Sequence, residues 1–348
     1  MKAAEDRFGF IAGGTWCADH NKLVDRWPGE EDQVEILEQD IRGGGPACNL
    51  AIGVKRLDPE MPVATIGLLG DDEDGRTLTK QAEREGLECS GLLMLDGHRT
   101  TFTDAFTSRK TGKRTHLYYP GTSSLLTPDH FDFSDTGARI LHLGLPGLHD
   151  RMDSPWKGCA NGWVAVLQAA RSVGMKTNLE MCSLPAERLA EVVTPCLHHL
   201  DYLIINEFEV AALAGRPIRH GAETNISLCL ANARDVLEAG AMELIVVHFP
   251  SGSVAITTGK DPIITPSVRV PKSIIAGTNG AGDAFASGVL YGLHQGWALE
   301  LSLELAHASA AASMRRIGTT DAIEAWSECL SLAEVYGLNP KPGQLQGI

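Results

Sequence analysis

Short, β-rich apolar runs alternate with longer amphipathic stretches along most of this chain, and that rhythm limits the fold more than any other feature. Residues 8–12, 63–69, 139–143, 176–180, 202–205 and 244–249 read as strands. Between them lie segments such as 163–173, where Val164, Leu167 and Ala170 recur near helical spacing. Strands alternating with helices predict a parallel sheet covered on both faces. The last third closes on two helices, 282–294 and an alanine-rich 299–315.

Two regions break the rhythm. Residues 100–108 alternate through Phe102, Asp104, Phe106 and Ser108, a Lys110-Thr111-Gly112-Lys113 turn follows, and 115–119 resume a strand. The pattern predicts a hairpin buried on one side. The stretch 19–41 is also polar and strand-like, and is broken at Pro28-Gly29. The two regions are expected to pair as a small β-sheet projecting from the main domain. Such a sheet serves as a lid over a site or as a dimerising surface.

Composition narrows the partners. The chain has 348 residues, 43% hydrophobic and 21% charged, the profile of an ordinary soluble protein. A net charge of -14 disfavours nucleic acid and anionic membranes, both of which reward Lys and Arg. Its eight cysteines include no C-x-x-C pair and read as buried thiols of a reducing compartment. Charged residues 1–6 run straight into the first strand, and no segment approaches the ~18 consecutive apolar residues of a membrane span. A cytoplasmic protein is expected.

Four glycine-rich or acidic segments stand at strand ends. Gly277-Thr278-Asn279-Gly280-Ala281-Gly282-Asp283 follows the extended Ile274-Ile275 and opens a helix with Phe285, Val289 and Leu293 on one face. Glycines there leave backbone N–H groups unobstructed, and the helix dipole favours an anion. A transferring phosphoryl group needs such a fixed positive field. Asp283 at its edge is placed to accept a proton from an attacking hydroxyl. The plain alternative is an acidic cap on a glycine-started helix.

Arg42-Gly43-Gly44-Gly45-Pro46-Ala47-Cys48-Asn49 lets a ligand approach the backbone, and Asn49 offers donor and acceptor to a hydroxylated molecule. A flexible loop before a helix explains it equally well. Asn206-Glu207-Phe208-Glu209 ends a strand, where ligands bind in open α/β sheets. Its oxygens suit Mg²⁺ through water, or merely an acidic first turn complementing the dipole. Gly70-Asp71-Asp72-Glu73-Asp74-Gly75 lacks the downstream Glu of a calcium loop and reads as a structural turn and helix start.

In this order, the segments resemble the ribokinase-like (PfkB) carbohydrate kinases over about residues 8–317. Gly13-Gly14 with Ala18-Asp19-His20 is similar to the family's start, whose Asp binds substrate hydroxyls. Gly44, Gly45 and Asn49 match the first signature, a sugar contact, and residues 67–75 match the strand–turn that follows it. Asn206, Glu207 and Glu209 match the Asn-Glu-x-Glu element, and Gly280-Ala281-Gly282-Asp283 matches the second signature.

The resemblance implies a three-layer α/β fold with a central, mostly parallel sheet flanked by helices and a small β-lid. The kinase domain would span 5–335, with the lid at about 19–41 and 100–119, often paired into homodimers. It implies ATP as donor, Mg²⁺, and the hydroxymethyl group of a neutral sugar or nucleoside as acceptor. Asp283 becomes the base, with the amides of Gly280, Ala281 and Gly282 as the anion hole. Asp19, Gly44, Gly45 and Asn49 hold the substrate, and Asn206, Gly252, Thr278, Asn279, Gly280 and Gly282 bind the nucleotide. Asn206 and Glu209 hold Mg²⁺ through water, with Glu180 a weaker candidate.

Three departures refine this picture. Ribokinases proper place a substrate-binding Glu where this chain has Gly144-Leu145-Pro146, which argues against ribose itself. His248-Phe249-Pro250-Ser251-Gly252 alters the usual glycine-rich nucleotide segment. Gly277 stands where the family commonly has the Asp that helps to hold an activating K⁺. Other acceptors are a nucleoside whose base stacks on Tyr118, or a phosphosugar clamped by Arg99, Arg109 and Arg114. A non-catalytic sugar sensor is the rival from another class. Asp283 beside an intact glycine nest argues against it, since binding alone needs no base.

Overall fold

The computed structural model describes residues 7–182, 184–220 and 223–343, so the reading of the charged start, 1–6, lies outside the described residues. In chain order the strands are β1 (Phe10–Gly14), β2 (Cys17–Val24), β3 (Ile36–Gly44), β4 (Val63–Gly70), β5 (Glu88–Leu95), β6 (Phe102–Ser108), β7 (Arg114–Tyr119), β8 (Ile140–Gly144), β9 (Lys176–Leu179), β10 (Tyr202–Asn206), β11 (Arg219–His220), β12 (Glu223–Thr224), β13 (Leu244–Phe249), β14 (Gly252–Thr257) and β15 (Ile263–Pro266). The helices are α1 (Pro46–Leu57), α2 (Glu73–Arg84), α3 (Gly162–Ser172), α4 (Ala186–Val193), α5 (Glu207–Ala214), α6 (Ile226–Gly240), α7 (Ala281–His294), α8 (Leu299–Ser313) and α9 (Trp326–Tyr336).

Among the described residues the main sheet has nine strands in the order β15-β14-β13-β10-β9-β8-β1-β4-β5. Neighbours from β13 to β5 are parallel, as the strand–helix rhythm predicts. The antiparallel extension by β14 and β15, and the edge strand β5, were not among the predicted strands. Successive residues of β1 feed opposite faces. Phe10 and Ala12 pack with α1, α7, α8 and α9, while Ile11 packs with α3, α4 and α6. Chain order reverses between β1 and β8, so a crevice opens beyond the carboxyl ends of these strands. No helix among the described residues is long and apolar enough to cross a membrane.

The two irregular regions do pair, in a separate sheet ordered β3-β2-β6-β7. β6 and β7 form the expected hairpin, but β2 lies parallel to β6, with Asp19 opposite Thr103. Alternation gives this sheet two distinct faces. Asp19, Thr103 and Tyr118 look into the crevice, while Phe102, Leu117 and Tyr119 belong to the other side. The acidic turn at 70–75 is structural, as read: Asp72 caps α2 by accepting from Gly75 N at 2.8 Å and also accepts the Thr100 hydroxyl at 2.6 Å.

Candidate active site

The N-terminus of α7 forms one wall of the crevice. Gly280 is its N-cap, with φ 75°, a left-handed conformation that glycine adopts without strain. A Cβ at Gly280 would also meet the Thr319 side chain at 2.5 Å. Asp283 sits in the first turn, deep in the crevice with one edge open to it. Asn49 Nδ2 donates to Asp283 Oδ2 at 2.9 Å, joining α1 to α7. Burial raises the Asp283 pKa well above the usual carboxylate range, and the neighbouring Glu180 raises it further.

Glu180 follows β9, and its carboxyl group neighbours that of Asp283. Its Oε2 stands 3.0 Å from Nε2 of His142, a fully buried residue of β8. The other ring nitrogen of His142 faces the Asn178 amide at 2.9 Å, and burial lowers this imidazole to about 4, leaving it neutral. Burial also raises Glu180 to about 7 and Glu209 to about 7. Charge repulsion from Glu209 adds to the shift on Glu180, as does that from Asp283 on Glu209. Several carboxylates therefore share a poorly solvated space.

Asn206 and Glu209 form a capping box on α5. Asn206 Oδ1 accepts from Phe208 N at 2.9 Å and Glu209 N at 3.0 Å, while Glu209 Oε2 accepts from Asn206 N at 2.9 Å. Both lone-pair directions of the Asn206 oxygen are taken, so its amide nitrogen is the group left to a ligand.

The small sheet supplies the opposite wall. Asp19 is buried on β2, with its Oδ1 3.2 Å from Cys17 Sγ. Burial raises Asp19 to about 6, while the Cys17 thiol and the charge of Arg114 act the other way. Gly44 lies so close that a Cβ there would strike the Asp19 carboxylate. Together these walls enclose a cavity of about 550 Å³ that brings Asp19, Gly45, Asn49, Asn206, Glu209, Asn279, Gly282 and Asp283 onto one surface. Thr15, Thr103, His116, Tyr118 and Glu180 also line it. A second cavity, of about 630 Å³, shares Asn206, His248 and Gly282 with the first and takes in Thr278 and Ala281.

Gly252 lines neither cavity. It starts β14, where the Thr265 carbonyl leaves no room for a side chain, so its glycine reflects packing against β15. Of the three arginines weighed as a clamp, Arg99 lies over the Phe102 and Tyr119 rings and Arg109 pairs with Asp25. Arg114 is half-buried and donates to Thr107 Oγ1 at 3.1 Å. No ion pair to Arg114 appears among the described residues. Sequence reasoning missed His142 and Thr319, since neither belongs to a glycine-rich or acidic segment.

Comparison with known proteins gives the arrangement its context. The chain is 25% identical over 337 residues to the 5-dehydro-2-deoxygluconokinase of Shouchella clausii, covering 94% of this chain and 96% of the relative. It is 25% identical over 304 residues to the adenosine kinase of Schizophyllum commune, covering 83% of each. The fold superposes on Arabidopsis thaliana ribokinase complexed with ribose and ATP with a TM-score of 0.75, at 20% identity, over 94% of this chain and 98% of that one. The pfkB family carbohydrate kinase profile matches residues 14–326, from the end of β1 through both glycine-rich segments. That match spans nearly the whole sheet and both cavities, and the chain belongs to the pfkB family of carbohydrate kinases.

Proposed function

We propose that this kinase moves the γ-phosphoryl group of ATP onto a hydroxymethyl group of a neutral sugar or nucleoside. The position of Asp283 carries the reading: a carboxylate in the first turn of α7, one edge on the cavity, beside helix amides that have no intrahelical partner. Asp283 takes the hydroxyl proton as the oxygen attacks. The amides of Gly280, Ala281 and Gly282 face the charge that develops on the phosphoryl oxygens. That of Ala281 contributes least, because its hydrogen already points to Thr278 O at 3.4 Å. Asp19, Asn49 and the Gly44-Gly45 turn hold the remaining hydroxyls of the acceptor.

The residues present suit Mg²⁺ and ATP. The second cavity offers apolar walls for a base in Val268, Val270, Ile275, Ala310 and Met314, and it joins the first at Gly282. Thr278 and Asn279 stand at that junction. Glu180 and Glu209 are crowded carboxylates whose repulsion a cation relieves. Among the described residues no three His, Cys, Asp or Glu side chains converge to cage a metal. That accords with an ion keeping water and phosphate ligands. When bound, Mg²⁺-ATP supplies the phosphoryl group and the offsetting positive charge. Glu209 and Glu180 then act through water. Asn206 holds Glu209 in place and offers its amide nitrogen to phosphate oxygens.

A neutral acceptor is favoured because no Lys or Arg lines the first cavity among the described residues. A second reading, an acceptor bearing an acidic group, rests on Arg114, whose charge reaches Asp19 without an ion pair. ADP release across hexoses, pentoses, nucleosides and hexonates separates the two. Turnover confined to hexonates, and lost in Arg114→Gln, selects the second reading.

The small sheet acts as the lid. Residues 100–119 are expected to lose hydrogen exchange when a substrate and an ATP analogue bind together; unchanged exchange at saturation counts against closure. On its outer face Ile41, Leu117 and Tyr119 are exposed, an apolar surface suited to a second copy of the chain in a homodimer.

Weak activation by K⁺ is also expected. The loop at Ala276 and Gly277 lacks a carboxylate, and Arg42, Arg56 and Arg316 flank it. The two acids there, Asp40 and Asp321, both pair with Arg42. A cation would meet carbonyls and acids already paired with Arg42, beside further guanidinium charge. Turnover in K⁺ should exceed that in a bulky ammonium salt by less than about tenfold, or ~1.4 kcal/mol. Ionic strength is held equal because screening alone changes rates. A larger ratio would reveal a working cation site.

A further inference from the structure

We propose that Thr319 is a positioning residue for phosphoryl transfer: its hydroxyl holds the Asn49 amide in the orientation that presents Nδ2 to Asp283. The proposal rests on the reading of Asp283 as the base. Thr319 lies in the connection between α8 and α9, is buried, and lines neither cavity. Its Oγ1 donates to Asn49 Oδ1 at 2.8 Å, and Asn49 Nδ2 donates to Asp283 Oδ2 at 2.9 Å.

The two ends of an amide are almost equal in shape and opposite in hydrogen-bond sense. Turned over, Asn49 would set its carbonyl oxygen against the carboxylate oxygen of Asp283. The carboxylate, which can only accept, selects this orientation, and the hydroxyl, donating to Oδ1, holds the amide in it. Asn49 then ties down Oδ2 and leaves Oδ1 clear of that bond, fixing the edge on which the acceptor's proton can arrive. A reaction with its atoms in near-attack geometry is sensitive to such a constraint.

Two further contacts hold Thr319 itself. Its Cβ lies against Gly280, so the side chain that orients the base also packs on the N-cap of α7. The same connection is anchored by Asp321, whose carboxylate pairs with Arg42 at 3.2 Å and whose carbonyl accepts from Arg56 at 3.0 Å. Arg42 belongs to β3 of the small sheet.

Thr319→Val keeps the volume and removes the hydroxyl, whereas Thr319→Ser keeps the hydroxyl and removes a methyl group. Assays use ATP with the acceptor giving the greatest ADP release among hexoses, pentoses, nucleosides and hexonates. The valine variant should lose up to roughly tenfold in kcat, the upper end of what one neutral hydrogen bond contributes. Its KM for ATP should stay within about twofold, and the serine variant should keep at least about half of the parent kcat. A packing role predicts the reverse order. In an Asp283→Asn background the valine change should have little further effect, because the group it orients is gone. If the valine variant does not fold, Thr319→Ala against Thr319→Ser isolates the same hydroxyl. An unimpaired hydroxyl-free variant beside an inactive Asp283→Asn overturns this proposal alone. Full turnover in Asp283→Asn overturns both it and the assignment of the base.

Discussion

Asp283→Asn is expected to lower kcat by ~10²–10⁴, the usual worth of a positioned general base, while nucleotide binding and the fold persist. The substitution is nearly isosteric, and its carbonyl oxygen can still accept from Asn49 Nδ2, so the link between α1 and α7 need not break. What disappears is a group able to take the hydroxyl proton at the edge of the proposed anion hole. It also removes a charge that burial and Glu180 oppose, so the variant should melt no lower than the parent. Steady-state turnover, nucleotide affinity and a melting curve test all parts together. More than a tenth of parental turnover in the folded variant would remove Asp283 from the role of base.

The second large effect concerns stability against pH. Glu180 and Glu209 are raised to about 7 in the folded chain, chiefly by burial. Over the window from about 4.5 to 7, set by the ordinary Glu value and these raised ones, the folded state holds more protons than the unfolded state. Linkage then makes stability fall as pH rises through that window. Each pKa unit is worth ~1.4 kcal/mol, so Glu180→Gln should stabilise the ligand-free protein at pH 8 by roughly 1–3 kcal/mol. Near pH 5, where Glu180 is already protonated in the folded protein, the gain should largely vanish.

Turnover is expected to move the opposite way, dropping about tenfold or more, because Glu180 stands beside the base and the proposed phosphate region. Such a trade of stability for activity is usual where a site crowds like charges. Denaturant unfolding of both proteins at the two pH values is the measurement. A variant less stable than the parent at pH 8, or an equal gain at both pH values, would show that Glu180 is not a strained carboxylate.

The parts of this site that were legible in the sequence are those whose chemistry is local. A glycine run opening a helix exposes amides wherever the helix packs, so a helix starting at Gly280–Gly282 with an acid in its first turn could be read directly, and α7 has both. The alternating pattern of 100–108 likewise specifies a one-sided hairpin before any partner is known, and β6 and β7 form it. Local reading was also where alternatives stayed open. Asn206-Glu207-Phe208-Glu209 fitted both a metal element and a helix cap, and Asn206 is occupied as a cap in the fold. Gly252, carried over by resemblance, proves to be crowded by the neighbouring strand.

Residue spacing along the chain implies the alternation of strand and helix, the polar hairpin, and a glycine-opened helix with a carboxylate in its first turn. Long-range packing is what sets β2 parallel to β6, puts Asp19 across one cavity from Asp283, and brings His142 to Glu180 and Thr319 to Asn49. Thr319 and Asn49 stand 270 residues apart, and no periodicity connects them. The hydroxyl, the amide and the carboxylate meet because β1 and α1 pack beneath α7 and α8 over a shared apolar layer. Backbone propensity and side-chain period act over a few residues. Burial acts across the whole chain, and burial is what sets both the neighbours of Asp283 and its affinity for a proton.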